Sequence, residues 1–271
     1  MRYIKVFAPG TVANLGCGFD VMGLTLDGVG DLLEVGIEEG AGGLVIRNRS
    51  GKELPAKNED NVITPAVMAL LGAYEKPVRV EVTILEKIAP GSGIGSSAAS
   101  SAAAVWGVNE LLGRPFSGER LIAPLRHGIV QGYLAGKHFA RLLGTDHDVG
   151  MHHGIEKALG DRQAHDVQRF VPPDQHHAAQ QLIGRSMHDV VAEPYRKGFI
   201  PGYDVLKEGV LAEGALAMNI AGSGPSIFAL AADEAVAQRV AQRMRAHFAR
   251  PGIGCKIYAG RVSNCGARIV E

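Results

Sequence analysis

Cysteine is scarce in this chain: Cys17, Cys255 and Cys265 are the only three in 271 residues, and no CxxC pair occurs. That spacing excludes a disulfide framework and fits a reducing compartment in which the three serve as small packing residues. An excess of one charge is also missing, because 28 Lys and Arg balance 28 Asp and Glu. Such a balance leaves no basic footprint for nucleic acid or for an anionic membrane surface. No apolar run reaches the roughly 18 residues that a membrane span requires. The opening MRYIKVFAPG lacks the apolar core of a signal peptide, so a cytoplasmic location is expected. The Walker A pattern GxxxxGK[ST] is absent too, which excludes that class of phosphate loop.

What remains is a chain of ordinary hydrophobic content, 46%, long enough for one large domain or two modest ones with a substantial core. Strand-like runs occupy 2–7, 31–37 and 78–88, and a helix is expected over 61–74 with Asn61 near its start. A second helix is expected over roughly 96–112 and a third over 203–214. Residues 215–231 read as strand, Gly-rich turn, strand. An amphipathic helix is expected over 233–250 and a final strand over 255–263. Helices between strands in this order predict an α+β architecture with antiparallel pairing.

The stretch APGSGIGSSAAS, residues 89–100, places three glycines directly before the Ala-rich helix. A helix N-terminus carries unpaired N–H groups and a partial positive charge, which suits an anion. Glycines let the backbone close around that anion, and Ser96 and Ser97 add hydroxyl oxygens suited to a phosphate or a metal. Two further stretches belong with it: APGTVANLGCGFDVMGLTL at 8–26 and AMNIAGSGPSIFAL at 217–230. Together the three resemble the motifs of the GHMP small-molecule kinases. The wording NLGCGFDVMGL and IGRSMHDVVAEPYRKGFIPGYD (183–204) is similar to the homoserine kinase branch of that superfamily. The resemblance covers roughly 3–124 and 182–270.

This resemblance implies a two-domain fold. An N-terminal α+β domain (1–124) carries the ATP loop, and a C-terminal ferredoxin-like domain (182–271) carries GSGPS. It implies transfer of the γ-phosphoryl group of ATP to the side-chain hydroxyl of L-homoserine, a step in threonine biosynthesis, with magnesium as the metal. Pro90, Gly91, Ser92, Gly93, Ile94, Gly95, Ser96, Ser97, Ala98 and Ala99 would cradle the nucleotide. Asn61 matches a position near the adenine, and Gly222, Ser223 and Gly224 would close the site. Ser96 and Ser97 would contribute oxygens to magnesium, a hard cation. Asn14 and Asp20 match substrate residues, Asp20 accepting from the ammonium. Arg196 matches the carboxylate-binding Arg, for which a forked guanidinium is suited. No general base is identified. A homodimer is common in that family, without an interface legible here.

Residues 125–181 depart from the family. Eight of the ten histidines lie there: His127, His138, His147, His152, His153, His165, His176 and His177. The family's magnesium Glu and its "HADN" segment are not legible. Codon degeneracy suggests a cause. Read one base out of frame from Leu125, Leu-Arg-His-Gly can encode Phe-Ala-Met-Glu, and Lys137–Ala140 can encode Asn-Ile-Ser-Pro. We therefore expect an out-of-frame or rearranged segment, with the family reading resuming near Leu182. The rival reading is a true insert in which His147, His152 and His153 bind a metal. Two functional alternatives also stay open: a nucleotide-binding protein of this fold with impaired catalysis, and a GHMP kinase for another small substrate.

Overall fold

Two long antiparallel strands, β1 (Arg2–Ala13) and β2 (Gly23–Glu39), form the centre of the first sheet in the computed structural model. The structure describes residues 1–18, 22–124, 176–249, 254–263 and 265–270. With β3 (Gly43–Asn48), β4 (Val78–Glu86) and β8 (Arg268–Ile269) the strand order is β3-β4-β2-β1-β8, and β7 (Val262–Ser263) pairs with β2. β3 runs parallel to β4, and the other pairs are antiparallel. Alternate residues point to one face, so Val6 and Ala8, Leu33, Val35 and Ile37, and Val80, Val82 and Ile84 together form a buried apolar layer. Each fully buried aliphatic side chain contributes about 1.5–3 kcal/mol.

Helices α1 (Ile63–Gly72) and α2 (Ser96–Leu111) cover that layer. α2 is buried on nearly every side, which its small residues permit. A Cβ added at Gly107 would lie 2.9 Å from Val35 Cγ2 and 3.0 Å from Val6 Cγ2, so the backbone itself rests on the sheet. Asn61 starts α1 as the sequence suggests: its Oδ1 accepts from the Ile63 amide at 3.0 Å. On the opposite sheet face Glu81 accepts from Arg47 at 2.7 Å, Arg79 at 3.0 Å and Tyr3 at 3.3 Å. The Arg47 guanidinium, helped by Arg79 and Tyr3, outweighs burial and holds the Glu81 carboxyl below its ordinary value.

The second sheet is the antiparallel pair β5 (Ala217–Ile220) and β6 (Ile227–Leu230). Helices α5 (Tyr203–Ala212) and α6 (Glu234–Phe248) pack with it through Leu206, Val210, Met218, Ile220, Val240 and Met244. Asp233 caps α6, accepting from the Val236 amide at 2.8 Å. Before them come α3 (His176–Ser186) and the single turn α4 (Glu193–Arg196).

Several expectations need correction. Of the final strand expected over 255–263, only Val262–Ser263 is strand, paired with Thr25 and Leu26; the Asp27 amide also donates to the Arg261 carbonyl at 2.9 Å, and 254–261 is largely exposed. Val262–Ser263 and Arg268–Ile269 join the first sheet rather than the second. α3 lies partly inside the stretch in which no element was expected, and β3 was missed because it is short and half exposed. The three cysteines are exposed and lie outside regular elements, so packing does not explain them. Seven of the tract's eight histidines precede residue 177, and six of those, from His127 to His165, lie outside the described residues.

Candidate active site

The three Gly-rich stretches, over 200 residues apart at the extremes, meet at one place. β1 starts the arrangement. Its pairing with β2 shifts register between Pro9 and Thr11. The shift turns the Thr11 amide toward the second stretch, where it donates to the Ile94 carbonyl at 3.0 Å. A side chain at Gly10 would put Cβ 2.8 Å from Ile88 Cδ1 and 3.1 Å from the Ile94 oxygen, so the close approach requires glycine.

After β1 the chain turns through three consecutive residues of positive φ: Asn14 (75°), Leu15 (44°) and Gly16 (74°). A left-handed leucine costs about 1–2 kcal/mol, and its burial with Val12, Met187, Ala217 and Ala221 holds it there. Gly16 lies against β5, where an added Cβ would be 2.7 Å from Asn219 Nδ2. Asn219 is fully buried and donates to the Met187 carbonyl at 3.1 Å.

The second stretch has positive φ at Gly91, Gly93 and Gly95 (72°, 78° and 73°). Gly95 is the N-cap of α2, no side chain caps this end, and the first i→i−4 bond runs from the Ala99 amide to the Gly95 carbonyl at 2.9 Å. The Ser96, Ser97 and Ala98 amides therefore precede the helical ladder, at the positive end of the dipole. Alternating left-handed glycines before such an end form a concave backbone suited to phosphate. The Ser92 hydroxyl is buried with no hydrogen-bond partner, as in a cradle that a ligand completes.

Beneath the loop lies a buried charge pair that the sequence reading missed. Lys87 Nζ contacts Asp31 Oδ2 at 2.9 Å, Ser100 Oγ at 2.7 Å, and Ser96 at both its Oγ (2.8 Å) and its carbonyl (3.1 Å). Asp31 also accepts from the Ile88 amide at 2.8 Å and from the Ser100 hydroxyl. The Ser96 hydroxyl donates to the Ile88 carbonyl at 3.0 Å. Ser96 is thus committed to the protein. Ser97 is half-buried, and no hydrogen bond joins its hydroxyl to another described residue. Lys87 directly precedes the Ile88–Ala89–Pro90 entry to the loop, but a lone Lys at a strand end carries no signal of burial.

The third stretch closes against the first two. Gly222 donates its amide to the Ala13 carbonyl at 3.1 Å, and its own carbonyl accepts from Arg196 Nη1 at 3.2 Å and, weakly, from Asn14 Nδ2 at 3.5 Å. Ser226 donates its hydroxyl to the Ser92 carbonyl, and a Cβ at Gly93 would lie 3.2 Å from the Gly224 oxygen. Asn14, Arg196, Gly222 and the loop at 90–99 are therefore in one neighbourhood. Asn61, whose Oδ1 is used by the Ile63 amide, is linked to it through α2, where Ser101 Oγ donates to the Val62 carbonyl at 3.2 Å. Asp20 lies outside the described residues.

Comparison with known proteins agrees with this convergence. The GHMP kinases N terminal domain matches residues 61–134, and the GHMP kinases C terminal domain matches 175–250. A homoserine kinase from Haloarcula marismortui is 30% identical over 300 aligned positions, covering 98% of this chain and 99% of that protein. The chain belongs to the homoserine kinase family of GHMP kinases. The crystal structure of homoserine kinase from Cytophaga hutchinsonii superposes with a TM-score of 0.78 at 29% identity, covering 100% of this chain and 98% of that one. Galactokinase from Lactococcus lactis superposes with a TM-score of 0.54 at 13% identity, which shows the shared fold alone. The two-domain α+β fold of this family is the fold of the chain. Among the described residues no helix is long and apolar enough to cross a membrane.

Proposed function

We propose that the chain is a phosphotransferase with an alcohol acceptor that phosphorylates the side-chain hydroxyl of L-homoserine, giving O-phospho-L-homoserine for threonine biosynthesis. The meeting of Asn14, Arg196 and Gly222 beside the uncapped end of α2 carries this reading. ATP supplies the phosphoryl group. The Ser96, Ser97 and Ala98 amides and the Gly91–Gly95 backbone hold its phosphates, and Asn61 borders the base. The Ser92 hydroxyl gains a partner when the cradle fills.

Phosphoryl transfer asks a protein mainly to position the reactants and to stabilise charge. Arg196 holds the substrate carboxylate with its fork, Asn14 hydrogen-bonds the amino acid or its hydroxyl, and Asp20 accepts from its ammonium. The Gly222–Gly224 turn borders both this pocket and the nucleotide loop. The amino-acid character of Asn14, Asp20 and Arg196 favours homoserine over a sugar.

Magnesium fits the described residues poorly. No group of three His, Cys, Asp or Glu side chains able to hold a metal occurs among them. Asp31 is taken by Lys87 and Ser96 by Ile88 and Lys87, which leaves the Ser97 hydroxyl. Magnesium prefers six oxygens, one or two of them carboxylates, so no step is assigned to it. We also place the reaction in the cytoplasm.

The test is calorimetric titration of ATP and of L-homoserine, followed by a coupled ADP-release assay with and without homoserine. Homoserine-dependent ADP release supports the reading. ATP binding without homoserine binding refutes the substrate, and binding of both without turnover supports the catalytically impaired alternative.

A further inference from the structure

We propose that Lys207, on α5 and outside the pocket, is a positioning residue for the amino-acid substrate: it occupies the carboxylate of Glu193 and so keeps that charge from drawing Arg196 away. The proposal rests on the reading of Arg196 given above.

α4 is one turn of four residues, too short to hold its own shape. Three contacts fix it. Upstream, Asp189 Oδ1 accepts from the Val191 amide at 2.9 Å and the Ala192 amide at 2.7 Å. Downstream, Lys197 contacts both Asp204 oxygens at 2.9 Å, but this pair is exposed and contributes little. In the middle, Lys207 Nζ bridges both oxygens of Glu193 at 2.7 and 2.8 Å, with the two side chains only 19% and 13% exposed.

The base under Lys207 is rigid. Tyr203, Leu206 and Val210 of the same helix are buried in the second core, and Lys207 Nζ sits 5.7 Å from the centre of the Tyr203 ring. Burial, and then the negative charge of Glu193, push the Tyr203 hydroxyl far above its ordinary ionisation, so Tyr203 stays neutral and supplies no compensating charge.

Glu193 and Arg196 are three apart in one turn, the spacing at which opposite charges on a helix meet. Yet Arg196 reaches the Gly222 carbonyl, while Glu193 pairs with Lys207. A largely desolvated carboxylate does not remain unpaired. With Lys207 neutralised, the cation nearest along the chain is Arg196, and its swing to Glu193 takes the guanidinium out of the pocket. Lys207 therefore determines which carboxylate Arg196 serves: the protein's own or the substrate's.

The experiment is calorimetric titration of L-homoserine and, separately, ATP, into Lys207→Met, Lys207→Arg, Arg196→Ala and the double variant Lys207→Met/Glu193→Gln, with KM values where turnover is measurable. Lys207→Met is expected to weaken homoserine about tenfold, since small displacements of a positioning group cost one to two decades, and to leave ATP unchanged. Lys207→Arg is expected to match the parent chain. The double variant is expected to recover to within about threefold, because the unpaired acid is gone; a merely structural pair would instead weaken ATP and homoserine alike. If Lys207→Met does not fold, Lys207→Gln replaces it in the same series. Unchanged homoserine affinity in the single variant, an equal loss for ATP, or failure of the double variant to recover overturns the proposal. If Arg196→Ala binds homoserine normally, the reading of Arg196 is what fails.

Discussion

Replacing Lys87 with Met tests the foundation of the nucleotide loop. The ammonium is 5% exposed and its Asp31 partner 0% exposed, so neither charge is shared with bulk water. Four contacts converge on Lys87, two of them from Ser96 at the first turn of α2. Methionine fills the same space but leaves the Asp31 carboxylate with only the Ile88 amide and the Ser100 hydroxyl. Breaking one side of a buried pair costs about 3–5 kcal/mol. At about 2–4 °C per kcal/mol for a chain of this size, the expected fall in Tm is about 6–20 °C by scanning calorimetry. The double variant Lys87→Met/Asp31→Leu removes both charges and should recover a large part of that loss, since an apolar replacement of a buried pair is often neutral. Because Lys87 fixes the Ser96 carbonyl, the single variant should also weaken ATP in a fluorescence titration. A fall in Tm under about 3 °C, equivalent to roughly 1 kcal/mol, would show that the pair is screened by water and refute this reasoning.

Gly93→Ala places a Cβ 3.2 Å from the Gly224 oxygen at a φ of 78°; it should cost about 1–2 kcal/mol and weaken ATP in the same titration. Ser96→Ala should lower Tm, because its hydroxyl bonds Ile88 and Lys87, while Ser97→Ala should leave Tm unchanged and reduce turnover or ATP affinity. Glu81 has a depressed folded-state value, so its contribution to stability is present above the ordinary carboxylate range and is lost as pH falls through the folded value. An acid-unfolding series should therefore show a flatter profile below about pH 4 for Glu81→Gln than for the parent chain. Sequencing the DNA that encodes residues 125–143 should give codons whose shifted frame reads Phe-Ala-Met-Glu and Asn-Ile-Ser-Pro; incompatible codons refute the out-of-frame reading.

Motifs were legible where backbone geometry dictates residue type. Glycines at 91, 93 and 95 are required by positive φ, and Gly10, Gly16 and Gly107 by close approach, so the loops announce themselves in the sequence. Residues 2–7 of β1, 31–37 of β2 and α2 were legible through their periodicity and small residues, whereas the extension of β1 to Ala13 and of β2 back to Gly23 lies in the Gly-rich stretch and was not. Contacts that depend on distant partners were not. Asp31 begins the apolar run DLLEVGI and reads as a strand-end acid, yet it pairs with Lys87 and receives Ser100, 69 positions away. Nothing in local composition distinguishes that aspartate from a solvated one. The same holds for Lys207, whose partner Glu193 lies in another element.

This difference between backbone-coded and partner-coded features explains how the site is built. Gly222 takes one bond from Arg196 and one from Asn14 through its carbonyl and gives one to Ala13 through its amide, so a single residue ties Arg196 to the first stretch. Its neighbours Gly224 and Ser226 rest on Gly93 and Ser92 of the nucleotide loop. A glycine can serve here because its own contacts are made by main-chain atoms, and in the proposed reading Asn14 and Arg196 supply the specificity. In the same reading the placement of Arg196 depends in turn on the Glu193–Lys207 pair. The glycines of the motifs are thus legible from the backbone they require, whereas an ion pair such as Glu193–Lys207 joins a motif residue to a partner in another helix that no local pattern announces.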